Sequence, residues 1–188
     1  MIFLERTKTS LTLAVMLKDD LSPDKKTIGD VFLNATVVRK EIIKHSTGYF
    51  LLVNLPDGKH VLTGSGRFYQ PAKITIDTKS INPKQPFADI TLAPKSNYPF
   101  PDGLTVLKGK IVDAGYRPLS QASIKIKTMP QSSTSEEDGG FFIQFAGIGS
   151  DKNITLTIKK YGYKSKDVTV LLKKGITTRI EPIILAKL

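Results

Sequence analysis

Two imidazoles, a short run of carboxylates and a few tyrosines are the side chains of this 188-residue chain whose types could do chemistry. His45 lies just before a Thr47-Gly48 turn and His60 just after Pro56-Asp57-Gly58, so both fall near strand ends. A general base must lie within hydrogen-bond reach of the proton it takes, and nothing adjacent to either histidine completes such a set. The chain has no Gly-x-Ser-x-Gly elbow, no His-Glu-x-x-His helix and no phosphate-binding glycine loop. Gly64-Ser65-Gly66 is too short for the last and is not followed by a helix. Glu136-Glu137-Asp138 could supply acid/base groups or metal ligands, but the run reads as a charged loop ahead of a glycine turn. Asp19, Asp20 and Asp24 lack the regular oxygen spacing of an EF-hand loop. The expectation is no catalytic residue, no cofactor and no metal. Tyr116, Tyr161 and Tyr163 could present faces on which sugar rings stack. Tyr161-Gly162-Tyr163-Lys164 places aromatics beside a base, as single-stranded nucleic acid would want, but four residues do not make a motif.

Composition narrows the classes further. A hydrophobic fraction of 40% and a charged fraction of 24% belong to a globular protein, not a disordered one. Without cysteine there are no disulfides, thiolate metal sites or cysteine nucleophiles, so each domain holds together by packing. The net charge is +11, with +4 in residues 1–103 (14 basic, 10 acidic) and +7 in residues 104–188 (14 basic, 7 acidic). A basic balance suits nucleic acid, anionic surfaces or an acidic partner. Here, however, lysines alternate with apolar residues, as in Ile124-Lys125-Ile126-Lys127, which is the pattern of a solvated, edge-protecting sheet face. Residues 1–8 lack the continuous apolar core of a signal peptide and no run is long enough to span a bilayer. The expected location is cytoplasmic, with a trimmed secreted form as the alternative.

The elements that must position these groups are strands. Residues 10–18 alternate Leu11, Leu13, Val15 and Leu17 with Thr12, Ala14, Met16 and Lys18, the period of a strand with one buried face. Further strands are expected at 31–38, 41–45, 49–55, 59–63, 73–77 and 89–92. Residues 93–103 carry Pro94, Pro99 and Pro101 and read as a linker stiffened toward polyproline II. Tyr98 and Phe100 suggest that it packs on a domain. The second half restarts at 104–113, with strands expected at 122–127, 140–145, 153–159, 166–172 and 177–185 and a polar Ser/Thr-rich loop over 130–137. No sustained helical period occurs, and short strands at regular spacing indicate an all-β sandwich or barrel.

The halves can be laid on each other. Leu13 to Asp19 matches Leu107 to Asp113, Arg67-Phe68-Tyr69 falls where Tyr161-Gly162-Tyr163 falls, and Ile90-Thr91-Leu92 where Ile183-Ile184-Leu185 falls. A tandem duplication explains this simply.

The second half carries Gly109-Lys110-Ile111-Val112-Asp113, Gly115-Tyr116-Arg117-Pro118, Ala122-Ser123-Ile124, Asp138-Gly139-Gly140-Phe141 and Tyr161-Gly162-Tyr163. In these it resembles the carboxypeptidase regulatory-like domain, a transthyretin-like (prealbumin-like) sandwich related in shape to CnaB repeats. The resemblance covers 104–188 well and 8–94 more loosely, since Thr47-Gly48-Tyr49-Phe50 replaces the Asp-Gly turn. Gln121 stands where the family usually has glycine. These motifs specify turns and a core, so they bear on fold more than on function. CnaB relatives sometimes form a Lys–Asn or Lys–Asp isopeptide bond assisted by a buried acid, which needs all three groups to converge in an apolar core. Starch-binding domains of similar shape use aromatic platforms, whereas the Gly-Tyr tyrosine of this family is more often core.

The resulting expectation is two tandem seven-stranded, transthyretin-like (prealbumin-like, Greek-key) β-sandwiches: a divergent copy over 1–94, a Pro-rich linker over 95–103 and a carboxypeptidase regulatory-like copy over 104–188. The expected role is a non-catalytic structural or adaptor module that binds another protein, with membership of a larger assembly as one form of that role. The alternative is a carbohydrate-binding module of starch-binding-like shape. No specific nucleic acid and no membrane insertion are expected, and the binding residues stay open.

Overall fold

Period-two alternation builds β1 (Leu11–Asp19), where Leu13, Val15 and Leu17 point into a core. The computed structural model describes residues 9–36 and 42–188, and it divides into two units, Met1–Pro94 and Lys95–Leu188. In the first unit β2 (Val31–Ala35), β3 (Ile43–Lys44), β4 (Tyr49–Val53), β5 (Lys59–Gly66), β6 (Tyr69–Asp77) and β7 (Phe87–Leu92) follow β1. They form two sheets, β3-β4-β1-β7 and β2-β5-β6, with β7 parallel to β1. The expected strands over 31–38 and 41–45 run partly through residues 37–41, outside the described residues. Gly64-Ser65-Gly66 belongs to β5, not to a loop. A Cβ at Gly64 would lie 2.8 Å from a Leu17 methyl, so the bare backbone lets the two sheets close on each other. β6 begins four residues earlier than expected and runs through Pro71, tolerated because β6 is an edge strand.

The second unit contains β8 (Thr105–Asp113), β9 (Ser123–Ile126), β10 (Ser132–Thr134), β11 (Gly140–Phe145), β12 (Lys152–Lys159), β13 (Lys166–Leu172), β14 (Thr177–Arg179) and β15 (Ile183–Leu185). Sheet β10-β9-β12-β13 faces a sheet in which β8 pairs antiparallel with β11 and parallel with β14 and β15. Their inner faces form one core from Leu107, Ile111, Ile124, Phe141, Leu156, Ile158 and neighbours. The expected loop over 130–137 thus contains an edge strand. The expected strand over 177–185 is broken at 180–182: Pro182 has no N–H to donate, and Ile180 fills the space that Gly109 leaves. A Cβ at Gly109 would come within 2.7 Å of Ile180.

The pairing order is shared. In each unit the first strand lies between the fourth and a parallel final segment, and the second, fifth and sixth strands follow one another in the facing sheet. The third strand differs, pairing with the fourth in the first unit (β3 on β4) and with the second in the other (β10 on β9). The sequence overlay has matching bridges, Tyr69 with Pro94 and Tyr163 with Lys187, and matching bonds, Gln70 N–H to Ala93 O and Lys164 N–H to Ala186 O. Residues 95–103 pack within the second unit. Phe100 lies between Tyr98 and Phe142, with ring centroids 5.2 and 4.9 Å apart, and the Lys108 ammonium sits 5.6 Å over its ring.

Candidate binding surfaces

Asp19 and Asp113 close the first strand of each unit, and both are buried. Asp19 Oδ1 accepts from the amides of Leu21 and Ser22 at 2.7 and 3.1 Å, and Oδ2 accepts from the Tyr69 hydroxyl at 2.8 Å. Asp113 Oδ1 accepts from the Gly115 and Arg117 amides, and Oδ2 from Arg117 Nε at 2.8 Å. These carboxylates organise turns. Asp24, exposed, bonds Ser22 and the Lys26 amide within its own loop. No group of three or more metal-ligating side chains gathers among the described residues.

The Arg117 amide, its guanidinium and the Gly115 amide hold the Asp113 carboxyl below the usual aspartate range. Its ionisation therefore stabilises the fold above the unfolded-state pKa of about 3.9, and that contribution disappears as pH falls through the lower folded value. Asp113→Asn keeps an acceptor but no charge for Arg117. The variant is expected to show a flatter acid limb than the parent when melting temperature is followed from about pH 6 down to about pH 2.

Glu136-Glu137-Asp138 forms a clamp and a turn. Glu136 takes the Ser96 amide at 2.8 Å and its hydroxyl at 3.0 Å. Asp138 Oδ1 accepts from the Gly140 amide and Oδ2 pairs with Lys110 at 3.1 Å. Burial pushes the Asp138 carboxyl up, but the Gly140 amide and Lys110 outweigh it and leave it below the usual range. Glu137 is exposed.

The two histidines do not converge. His45 is exposed and its Nδ1 lies 2.7 Å from Thr47 Oγ1, a contact within one turn with no carboxylate on the ring among the described residues. His60 is 3% exposed, with Nε2 bonded to Pro56 O at 2.9 Å, which fixes the proton there and leaves Nδ1 enclosed. The Lys–Asp pairs Lys18–Asp89, Lys110–Asp138 and Lys127–Asp167 are half-exposed and do not meet in an apolar core.

Of the tyrosines, Tyr161 and Tyr163 line one open depression of about 450 Å³ with Gln121, Lys159, Lys160 and Ser165. Tyr116, in the turn after β8, is outside it. Tyr161 is 98% exposed, whereas Tyr163 packs against the core. Gln121, at the position where glycine is usual in the resembled family, has a left-handed φ of 56°.

Two surfaces escaped sequence reasoning. On the outer face of β3-β4-β1-β7, register aligns Ile43, Leu51, Ala14 and Phe87 in one row, with Tyr49, Met16 and Asp89 in the next. Phe87 is 61% and Ile43 48% exposed, while Ala14 is 2% exposed. The Tyr49 and Phe87 rings are 5.7 Å apart. On the outer face of the second unit, register places Lys108 between Phe142 and Arg179.

All-β units with turns held by carboxylates define a fold class, and a fold class leaves function to its sites. The family model described as CarboxypepD_reg-like domain matches residues 107–185. No curated protein matches the chain. Among solved structures, the chain is similar to a type II cohesin–X-dockerin complex, an N-terminal interface mutant from Acetivibrio cellulolyticus, at 16% identity and TM-score 0.35, over 44% of this chain and 58% of that one. The C-terminal interface mutant of that complex is covered over 56% of its length, so the chain spans little more than half of either. The Bacillus anthracis TIE protein is similar at 14% identity and TM-score 0.36, over 94% of this chain and 34% of that one. A Streptococcal ancillary pilin follows at 13% identity and TM-score 0.34, over 98% and 64%. No helix among the described residues is long and apolar enough to cross a membrane.

Proposed function

We propose that the chain is a non-catalytic interaction module made of two tandem transthyretin-like sandwiches, and that it binds another protein through the outer face of β3-β4-β1-β7. The shared pairing order and the matching Tyr69–Pro94 and Tyr163–Lys187 bridges support the tandem reading. The single observation that carries the function is the contiguous apolar row Ile43, Leu51, Ala14 and Phe87, with Phe87 exposed at the sheet edge. Contiguous apolar patches of this kind mark interaction sites on soluble domains. The partner is accordingly a protein that presents an apolar surface. Ile43→Ser with Phe87→Ser should leave the unit folded but less stable by about 1–2 kcal/mol, because each side chain is still partly covered and Phe87 packs on the Tyr49 ring. The doubly substituted chain should lose a partner that the parent captures from native lysate at moderate salt, where purely charge-driven contacts weaken. Retention of that partner by the variant would count against this face.

A second reading, carbohydrate binding, is favoured by Tyr161 alone, whose ring stands free above a depression with polar walls. Tyr161→Ala should unfold like the parent to within about 0.5 kcal/mol. If sugars are the ligand, signal on a glycan array should vanish in that variant. An array silent for the parent would remove the reading.

A further inference from the structure

Lys108 and Arg179 are neighbours across the parallel pair β8 and β14, and both project from the outer face of the sheet. Among the described residues neither has an acidic partner. Glu136 is committed to Ser96, and Asp138 to Lys110 and the Gly140 amide. The Lys108 ammonium is only part-solvated, donating to Ser96 O at 3.2 Å with the Phe100 ring on its other side. Burial, and then the Arg179 charge, hold it below the ordinary lysine range. Two adjacent like charges, one of them half-buried, form an arrangement that an anion relieves.

Lys108 and Arg179 border a half-open cavity of about 290 Å³ whose wall also holds Ile180, Pro182 and the Lys110–Asp138 ion pair, in which Lys110 offsets the Asp138 charge. Its volume is just under the range of small-molecule sites, about 300 to 1,000 Å³, which suits a small ligand. A guanidinium fork matches the two oxygens of a carboxylate. A fully hydrated inorganic anion would gain nothing from Ile180 and Pro182, whereas a short aliphatic chain would be desolvated there.

We propose that this cavity binds a carboxylate carried on a small aliphatic body, with the carboxylate between Lys108 and Arg179 and the aliphatic part on Ile180 and Pro182. Such chemistry occurs in free branched-chain acids and in peptide C-termini that end in an aliphatic residue. This site is separate from the apolar face of the first unit, so either can fail without the other.

The test is a nitrogen-15 NMR titration of the full chain with 4-methylpentanoate, N-acetyl-leucine, neutral 4-methylpentanamide, acetate and phosphate. The expected result is saturable shifts at the Gly109, Arg179 and Ile180 amides for the first two probes only. Arg179→Gln, at an exposed position without an ion pair among the described residues, should keep the parent spectrum elsewhere and weaken both at least tenfold. Tenfold tighter binding of N-acetyl-leucine would support the site and assign a peptide terminus, and the reverse order would support it and assign a free acid. Equal shifts from the amide, from acetate or from phosphate would overturn the proposal, as would no shift from either carboxylate probe or full binding by Arg179→Gln.

Discussion

Gly139→Ala is expected to destabilise the second unit by about 3 kcal/mol, combining a left-handed backbone penalty of roughly 1–2 kcal/mol with an overpacking penalty of roughly 1–3 kcal/mol. Gly139 has φ +75°, and a Cβ there would lie 2.5 Å from the carbonyl oxygen of Ile111. That carbonyl cannot simply retreat, because it accepts from the Leu119 amide at 2.9 Å while Gly139 O accepts from the Ile111 amide at 2.8 Å. Relief of the clash must break one strap of the turn that starts β11. Gly162 separates the two terms, with φ +79° and nothing within 4 Å of a Cβ. Gly162→Ala should therefore lose only the conformational part, about 1 kcal/mol. Urea unfolding of both variants checks the difference, and equal midpoints would show that the Ile111 contact yields without penalty.

That turn was legible from sequence for the reason that makes it fragile. Asp138-Gly139-Gly140-Phe141 couples an Asx acceptor, a residue free to adopt positive φ and an aromatic strand start, all of them local requirements. Gly140 adds a reason not visible locally, since a Cβ there would fall 2.2 Å from Ser96 Oγ, forty-four positions away in sequence. Strands with one buried face were legible too, because alternation reports burial. The strand Ser132–Thr134 was not, since an edge segment of Ser and Thr, with only Ser133 half-buried, offers no apolar alternation that a pattern could record. The break at 180–182 depends on Gly109 yielding its place to Ile180, a long-range exchange of volume. Residues 95–103 read as a linker because proline and glycine punctuate them, and only the Phe100–Phe142 contact shows where the aromatics go.

The candidate surfaces were less legible than the fold. Lys108 and Lys110 alternate with buried residues and so read as a solvated face, which Lys110 is. Lys108 differs through Arg179 and Phe100, which only the sheet register and the packing of residues 95–103 bring to it. The apolar row of the first unit was hidden for a related reason. Ala14, Met16 and Leu51 each fit a plausible strand, and their common outward face emerges only when β3, β4, β1 and β7 are aligned.

Tyr69→Phe should destabilise the first unit by about 2–3 kcal/mol, the range for loss of a hydrogen bond to a charged group with a second partner left unmet. The Tyr69 ring is fully buried, and phenylalanine preserves its packing. The hydroxyl, however, donates to Asp19 Oδ2 at 2.8 Å and accepts from the Ile28 amide at 2.9 Å, so its removal leaves a buried carboxylate and a backbone donor each short of a partner. Tyr163 stands at the matching bridge of the second unit, but Arg117 holds the aspartate there and the Tyr163 hydroxyl makes no hydrogen bond among the described residues. Tyr163→Phe should accordingly change stability by less than about 0.5 kcal/mol. The contrast, read from denaturant unfolding of the two variants, tests whether the units solve one structural problem, the burial of a strand-end carboxylate, with different side chains. If both substitutions prove silent, the Tyr69 hydroxyl does not hold Asp19, and the carboxylate's other interactions, the straps from Leu21 and Ser22 among them, suffice to bury it.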